Sequence, residues 1–215
     1  MKSENIKEIL LGCAIGDGCI RKNGCLQITH SIKQKEYIIY KKILLESVGF
    51  KVTFKEFERE SYGEIRKFVM IYTNVTELGK SMRKYMYLND IKIIPDDLNI
   101  TPLMWSLIFQ DDGRQNKISH YISKKGGINT RVETNPWVNR YTIYTDCFDD
   151  KSIQNIIKSL KYYNIDSRIS YSNKNKYPHI HITNKISKTN FKELICNYIC
   201  DNMDYKLDLP TYLIS

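Results

Sequence analysis

The chain repeats itself. Glu8 to Gly18, EILLGCAIGDG, returns in its chemistry at Leu103 to Gly113, LMWSLIFQDDG, each an apolar helical run that ends in aspartate and glycine. With Asp17 and Asp112 equivalent, the copies lie 95 residues apart, a domain-sized period. Internal repetition constrains the architecture before any local detail does. It predicts two similar halves, each with one carboxylate at the end of its first helix. Gly12 and Gly16 stand one turn apart, so a second helix backbone can approach with no Cβ between. Gly18 and Gly113 are expected at the helix C′ positions. Asp17 and Asp112 then sit at the negative ends of their helices, where the dipole opposes an anion. A bound cation resolves that conflict, and two such helices side by side bring two carboxylates to one metal-binding edge. A single Asp-Gly is an ordinary helix stop; the second copy, after a second apolar run, argues against so plain a reading.

Charge points the same way. The net charge of +9 divides into +4 over residues 1–101 and +5 over 102–215, so both halves suit one polyanion running across them. Neither GxxxxGK[ST] nor GxGxxG occurs, which removes the usual phosphate-cradling loops of metabolic enzymes. The six cysteines include no CxxC, and Cys196 and Cys200 have no neighbouring His or Cys to complete a zinc set. They read as reduced thiols of an intracellular protein, in cytoplasm, nucleoid or organelle matrix. The N-terminus, MKSENIKEI, has no secretory apolar core, and no run is long and apolar enough to span a membrane.

Along the chain, Asn23-Gly24 predicts a tight turn. CLQITHS at 25–31 alternates, with Leu26, Ile28 and His30 on one face and Gln27, Thr29 and Ser31 on the other. A structural role is expected for His30. Residues 33–48 read as a helix with Tyr37, Tyr40, Ile43, Leu44 and Ser47 along one side; 52–57 and 66–73 as an antiparallel pair; 75–87 as a helix. A short strand near Ile20 turns the order into αββαββα. Residues 1–91 form the first half, 92–101 the linker and 102–215 the second half. There Thr101 is the N-cap and Pro102 the first helical residue. Beyond Gly113 lies a polar segment with strand-like pieces at 118–122 and 130–133 and a basic loop around Lys124 and Lys125. Strands at 140–147, 165–171 and 177–183 and helices at 149–163 and 187–200 complete the cycle. Helices covering one side of each sheet leave the other to a ligand. That open face is expected to carry Gln27, Thr29 and Ser31, then Tyr177, His179, His181 and Thr183. Polar side chains on strands can read base edges while cations hold phosphates. For His179 and His181, DNA contact or plain exposure is favoured over zinc.

These residues resemble the LAGLIDADG homing endonucleases, in the single-chain form with two motif copies. LLGCAIGDG at 10–18 and SLIFQDDG at 106–113 match the motif, KIIPDDLNITPLMW at 92–105 the lead-in to the second copy, and MDYKLDLP at 203–210 the close of that half. Leu107 departs from the pattern where the first copy has Gly12. Gln110-Asp111-Asp112 leaves the second acid to alignment; Asp112 occupies the family position and Asp111 is the secondary candidate. The resemblance implies an α+β fold of two pseudo-symmetric αββαββα units whose antiparallel sheets form a saddle over double-stranded DNA. It implies a monomeric, divalent-metal-dependent endonuclease cutting both strands at a long asymmetric site. Asp17 and Asp112 are the implied catalytic metal ligands, with Gly16 and Asp111 beside them, holding two or three Mg²⁺ ions shared between the halves. Lys92 and Lys206 are the implied basic residues near the scissile phosphates. Gln27, Thr29, Ser31, Lys124, Lys125, Arg140, His179 and His181 are the implied DNA contacts. A group I intron maturase acting on its host intron RNA, or a noncatalytic DNA-binding regulator, are the alternatives on the same scaffold.

Overall fold

The computed structural model describes residues 2–116, 122–125, 128–131, 140–172 and 176–207, with the side chains of 2, 3 and 122–131 outside that description. The first half runs α1 (Lys2–Ile15), β1 (Cys19–Ile20), β2 (Leu26–Ser31), α2 (Lys35–Ser47), β3 (Val52–Ser61), β4 (Glu64–Thr73) and α3 (Glu77–Met86). A two-stranded hairpin follows, β5 (Tyr87–Leu88) with β6 (Ile91–Lys92). The second half runs α4 (Pro102–Asp112), β7 (Gly113–Asn116), the paired strands β8 (Ile122–Lys125) and β9 (Ile128–Arg131), β10 (Arg140–Tyr144), α5 (Asp150–Tyr162), β11 (Arg168–Ser172), β12 (Tyr177–Ile182) and α6 (Lys185–Ile195). The sheets have matching orders, β1-β2-β4-β3 and β7-β10-β12-β11, all antiparallel. The predicted repeat is therefore a repeat of αββαββα topology, with β8–β9 inserted in the second copy.

Local chemistry sets most boundaries. Thr76, Thr101, Asp149 and Asn184 each precede a helix, and each side-chain oxygen accepts from the N–H three residues on. β3 and β4 are joined by Tyr62 and Gly63 at φ 56° and 77°, the doubly left-handed geometry that matches strand twist. Along β2 the predicted alternation holds, with Leu26, Ile28 and His30 buried.

Four expectations are corrected. Gly113 is extended, at φ −92° and ψ 153°, and Gly18 is not among the left-handed glycines, because the chain runs on from each motif helix into a strand without reversing. Glycine is required for close approach instead: a Cβ on Gly113 would collide with Phe109, and one on Gly18 with the Cys13 carbonyl. α2 buries Tyr37, Ile38, Lys41 and Leu45 and leaves Ile43 exposed, so its inner face is rotated from the predicted one. β7, sequence GRQN, had no apolar alternation to announce it and exists by pairing with β10. Lys124 and Lys125 lie in paired strand rather than loop; their side chains, the expected strand at 118–121 and the closing residues 208–210 lie outside the described residues.

The motif helices knit the two cores together. Leu107 of α4 belongs to the apolar cluster of the first half, with Leu10, Ile28, Ile38 and Leu45. Leu11 and Ile15 of α1 belong to that of the second, with Trp105, Phe109, Ile143 and Phe191. Each half's core thus includes side chains from the other's motif helix.

Candidate functional site

α1 and α4 meet through residues four apart on each. A Cβ on Gly12 would stand 2.8 Å from Leu107 Cδ1 and 3.1 Å from Met104 Cα. One turn later Gly16 leaves the space that Asp111 fills. Glycine on one helix faces a larger side chain at the equivalent position of the other, so the departure at Leu107 is compensated by Gly12 itself.

Asp111 is the unusual member. Its side chain and that of Lys41 are both 0% exposed, and Lys41 Nζ donates to its two oxygens at 2.5 and 2.8 Å. Oδ2 also accepts from the backbone N–H of Asp17 at 2.9 Å. His30, buried beside them, places Nδ1 3.5 Å from Asp17 Oδ2 and Nε2 3.7 Å from Asp111 Oδ1. Asp17, two residues past the end of α1, keeps a side chain 41% exposed. Burial and the Asp111 charge raise its pKa, while His30, Lys41 and Lys206 pull it down. Burial and Lys41 hold the His30 imidazole below its usual pKa.

The cations that the helix-dipole argument demands are already in the chain. Lys92 Nζ donates to the carbonyls of Ile15, Gly16 and Gly18 at 3.2, 2.8 and 3.0 Å, closing the end of α1. Lys206 does the same for α4, donating to Gln110 O at 2.6 Å and Asp111 O at 3.0 Å. A cation on the last carbonyls of a helix offsets its negative pole. Burial lowers both lysine pKa values, against the pull of the nearby aspartates. Asp112, the last residue of α4, opens into a cleft with Arg114, Tyr144, Tyr205 and Lys206. Burial first, then Asp17 and Asp111, push its carboxyl up to about 7. Anions crowded this closely call for a further cation.

Asp17, His30 and Asp111 each bring a ligand atom within 4.8 Å of the others, a set that could hold a metal ion. Lys41 takes both Asp111 oxygens, so Asp17 is the carboxylate of this set open to a cation, a hard oxygen donor of the kind that fits Mg²⁺. The main-chain oxygens of Gly16 and Asp111 accept from Lys92 and Lys206.

Residues 7–191 match the LAGLIDADG DNA endonuclease family. The chain belongs to that family. Its fold superimposes on the homing endonuclease I-WcaI bound to its DNA recognition sequence, with a TM-score of 0.76, 25% identity and coverage of 96% of this chain and 87% of that one. The saddle architecture is the same. I-DmoI in complex with DNA and Mn shares the fold, at a TM-score of 0.51, 12% identity and coverage of 89% and 96%. An uncharacterized protein of Methanocaldococcus jannaschii is 27% identical over 177 residues, 81% of this chain; the match spans 63% of that relative's length.

On this LAGLIDADG scaffold the face of the first sheet is arranged as the alternation predicts. Gln27 and Thr29 are half-buried, Ser31 is exposed, and Gln27 Oε1 accepts from Arg21 Nε at 2.8 Å. The second sheet differs. His179 is half-buried and faces Asp146, with Nε2 3.1 Å from Oδ1. His181, expected to be exposed, is 2% exposed. Its Nδ1 lies 3.0 Å from Thr142 Oγ1 and its Nε2 bonds Ser170, because β10 and β11 bring polar partners to both sides of it. Burial and the neighbouring Arg140, His179 and Arg168 lower its pKa to about 4. Arg140 opens β10 half-buried. Sequence reasoning missed Lys41 as part of the site and gave His30 only a structural role. The available signals were a lysine midway in the i,i+4 row Tyr37–Lys41–Leu45 and a histidine on the apolar side of a strand. Among the described residues no helix is long and apolar enough to cross a membrane.

Proposed function

We propose that this chain is a site-specific DNA endonuclease that cuts both strands with divalent metal. The observation that carries the reading is the paired end of the motif helices: Asp17 lies close enough to Asp112 to raise its pKa, with Lys92 and Lys206 each seated on the carbonyls of one helix end. The likeness to a homing endonuclease held on its DNA recognition sequence supports it.

Asp17 and Asp112 hold the cations, with the carbonyls of Gly16 and Asp111 beside them; the set suits two or three Mg²⁺ ions. When bound, Mg²⁺ offsets charge developing on the scissile phosphate and lowers the pKa of water at the site. Lys92 and Lys206 add positive charge at the same edge and stabilise the departing oxygen. One carboxylate per half matches one cut per strand, and the unlike sheet faces favour an asymmetric target. Gln27, Thr29, Ser31 and His179 supply base contacts, with Lys124, Lys125 and Arg140 on the phosphates. Two halves in one chain supply both centres, so the active form is a monomer.

The test is incubation of the protein with duplex DNA in which the sequences flanking its own gene are joined without the gene, with Mg²⁺ or excess EDTA. Metal-dependent cutting of both strands at one site is expected. Tight binding without cutting at any metal concentration would remove the endonuclease reading.

A further inference from the structure

The repeat is broken where its two copies touch. By the 95-residue period Asp111 corresponds to Gly16. Lys41 is the seventh residue of a 13-residue α2, and the seventh residue of the 13-residue α5 is the buried Ile156. Cys19 pairs with Gln27 as Arg114 pairs with Thr142, which sets Thr145 in the place of His30. The first centre thus has a buried Asp111–Lys41 ion pair with His30 against it, where the second has Gly16, Ile156 and Thr145. The neutral set needs no charge desolvated; the ionic one does.

We propose that the Asp111–Lys41 pair is a positioning device for Asp17 alone, so that the two cleavage centres are supported unequally. The inference rests on the endonuclease reading and deepens it. Asp112 is the final residue of α4, so the helix itself fixes its backbone. Asp17 lies beyond α1, which ends at Ile15, and helix geometry no longer holds it. Its N–H is held instead by Asp111 Oδ2, across 94 residues of sequence. Lys41 occupies both oxygens of Asp111 in a place closed to solvent, which fixes the acceptor. His30, itself bonded through Nδ1 to Gln34, stands against both carboxylates and limits how far that of Asp17 can swing. Asp111 therefore acts through Asp17 rather than on the substrate.

Two double variants test this. Lys41→Ile/Asp111→Gly rebuilds the neutral pair of the other half. Lys41→Met/Asp111→Asn removes both charges and keeps an oxygen able to accept from Asp17 N–H. Single-turnover cleavage is followed on duplex with the two strands labelled differently, and Asp17→Asn identifies the strand cut by the Asp17 centre. In Lys41→Ile/Asp111→Gly that strand is expected to slow by about 100-fold, the scale of a misplaced catalytic group, while the other strand keeps the parent rate. Nicked product then accumulates, and Lys41→Met/Asp111→Asn restores most of the lost rate. In the metal-free protein the Asp17 amide resonance should shift in the first variant and return in the second, with melting temperature and metal-free DNA affinity close to the parent. Equal slowing of both strands, or an Asp17 amide indifferent to either variant, overturns the proposal. A parent chain that cuts neither strand would overturn the endonuclease reading instead, and the amide comparison would still decide the positioning. If Lys41→Ile/Asp111→Gly does not fold, Lys41→Met/Asp111→Asn alone decides, by an unmoved amide and a preserved strand ratio or by their loss.

Discussion

Gly16 makes room for Asp111. A Cβ at Gly16 would run into that carboxylate, which Lys41 holds in place. The Gly16→Ala variant should therefore lose about 1–3 kcal/mol, the usual cost of overpacking. Gly12→Ala meets the movable Leu107 Cδ1 and the Met104 backbone. Because Gly12 lies inside α1, alanine there also gains up to about 1 kcal/mol of helix propensity, and its net loss should be smaller. Urea unfolding of both variants checks the order; a larger loss at Gly12 would contradict the geometry.

The Lys41–Asp111 pair should behave as a buried pair does. Lys41→Met alone leaves a carboxylate closed to solvent without its cation and should cost about 3–5 kcal/mol. Lys41→Met/Asp111→Asn should be much closer to the parent. Melting curves of the single and double variants measure the coupling, and additive losses would mean that the two groups do not act together.

Lys206→Met removes the cation on the carbonyls of Gln110 and Asp111. Single-turnover cleavage should fall about 10²–10³-fold, as when one charge-stabilising donor is lost. Binding of DNA in Ca²⁺ should weaken far less. Lys92→Met should act in the same way from the other helix end. A drop in affinity with the cleavage rate unchanged would assign these lysines to binding alone.

The raised carboxyl of Asp112 gives the metal-free protein a pH dependence of definite sign. Its folded value of about 7 exceeds the 3.8 of an unperturbed aspartate, so the folded state holds the proton more tightly between those limits. The contribution of this group to stability is fully present below about pH 4 and declines as pH rises through about 7. Without metal, Asp112→Asn should flatten that decline and raise the melting temperature at pH 8. A parent and variant with parallel melting profiles from pH 5 to 8 would refute the shift. In the parent, added Mg²⁺ should stabilise more at pH 8 than at pH 6, because the proton competes for the same oxygens.

The sequence by itself determined what local chemistry governs. Thr76, Thr101 and Asp149 announce their helices because a capping oxygen needs only an N–H three residues away. The alternation of Leu26, Ile28 and His30 against Gln27, Thr29 and Ser31 placed the two faces of β2, since successive strand side chains must point oppositely. The 95-residue repeat gave the two halves and the two terminal acids. Tertiary structure decided everything that depends on a partner far along the chain. β7 is a strand because β10 pairs with it, and His181 is buried because β10 and β11 supply its partners. Lys41 sits in a helix row that reads as apolar, and only the arrival of Asp111, 70 residues on, makes a buried ammonium tolerable there. Asp111 in turn fits only because Gly16, just past the end of the other motif helix, has no side chain. Periodicity reports which residues face inward; the charges that meet there are set by packing between the halves.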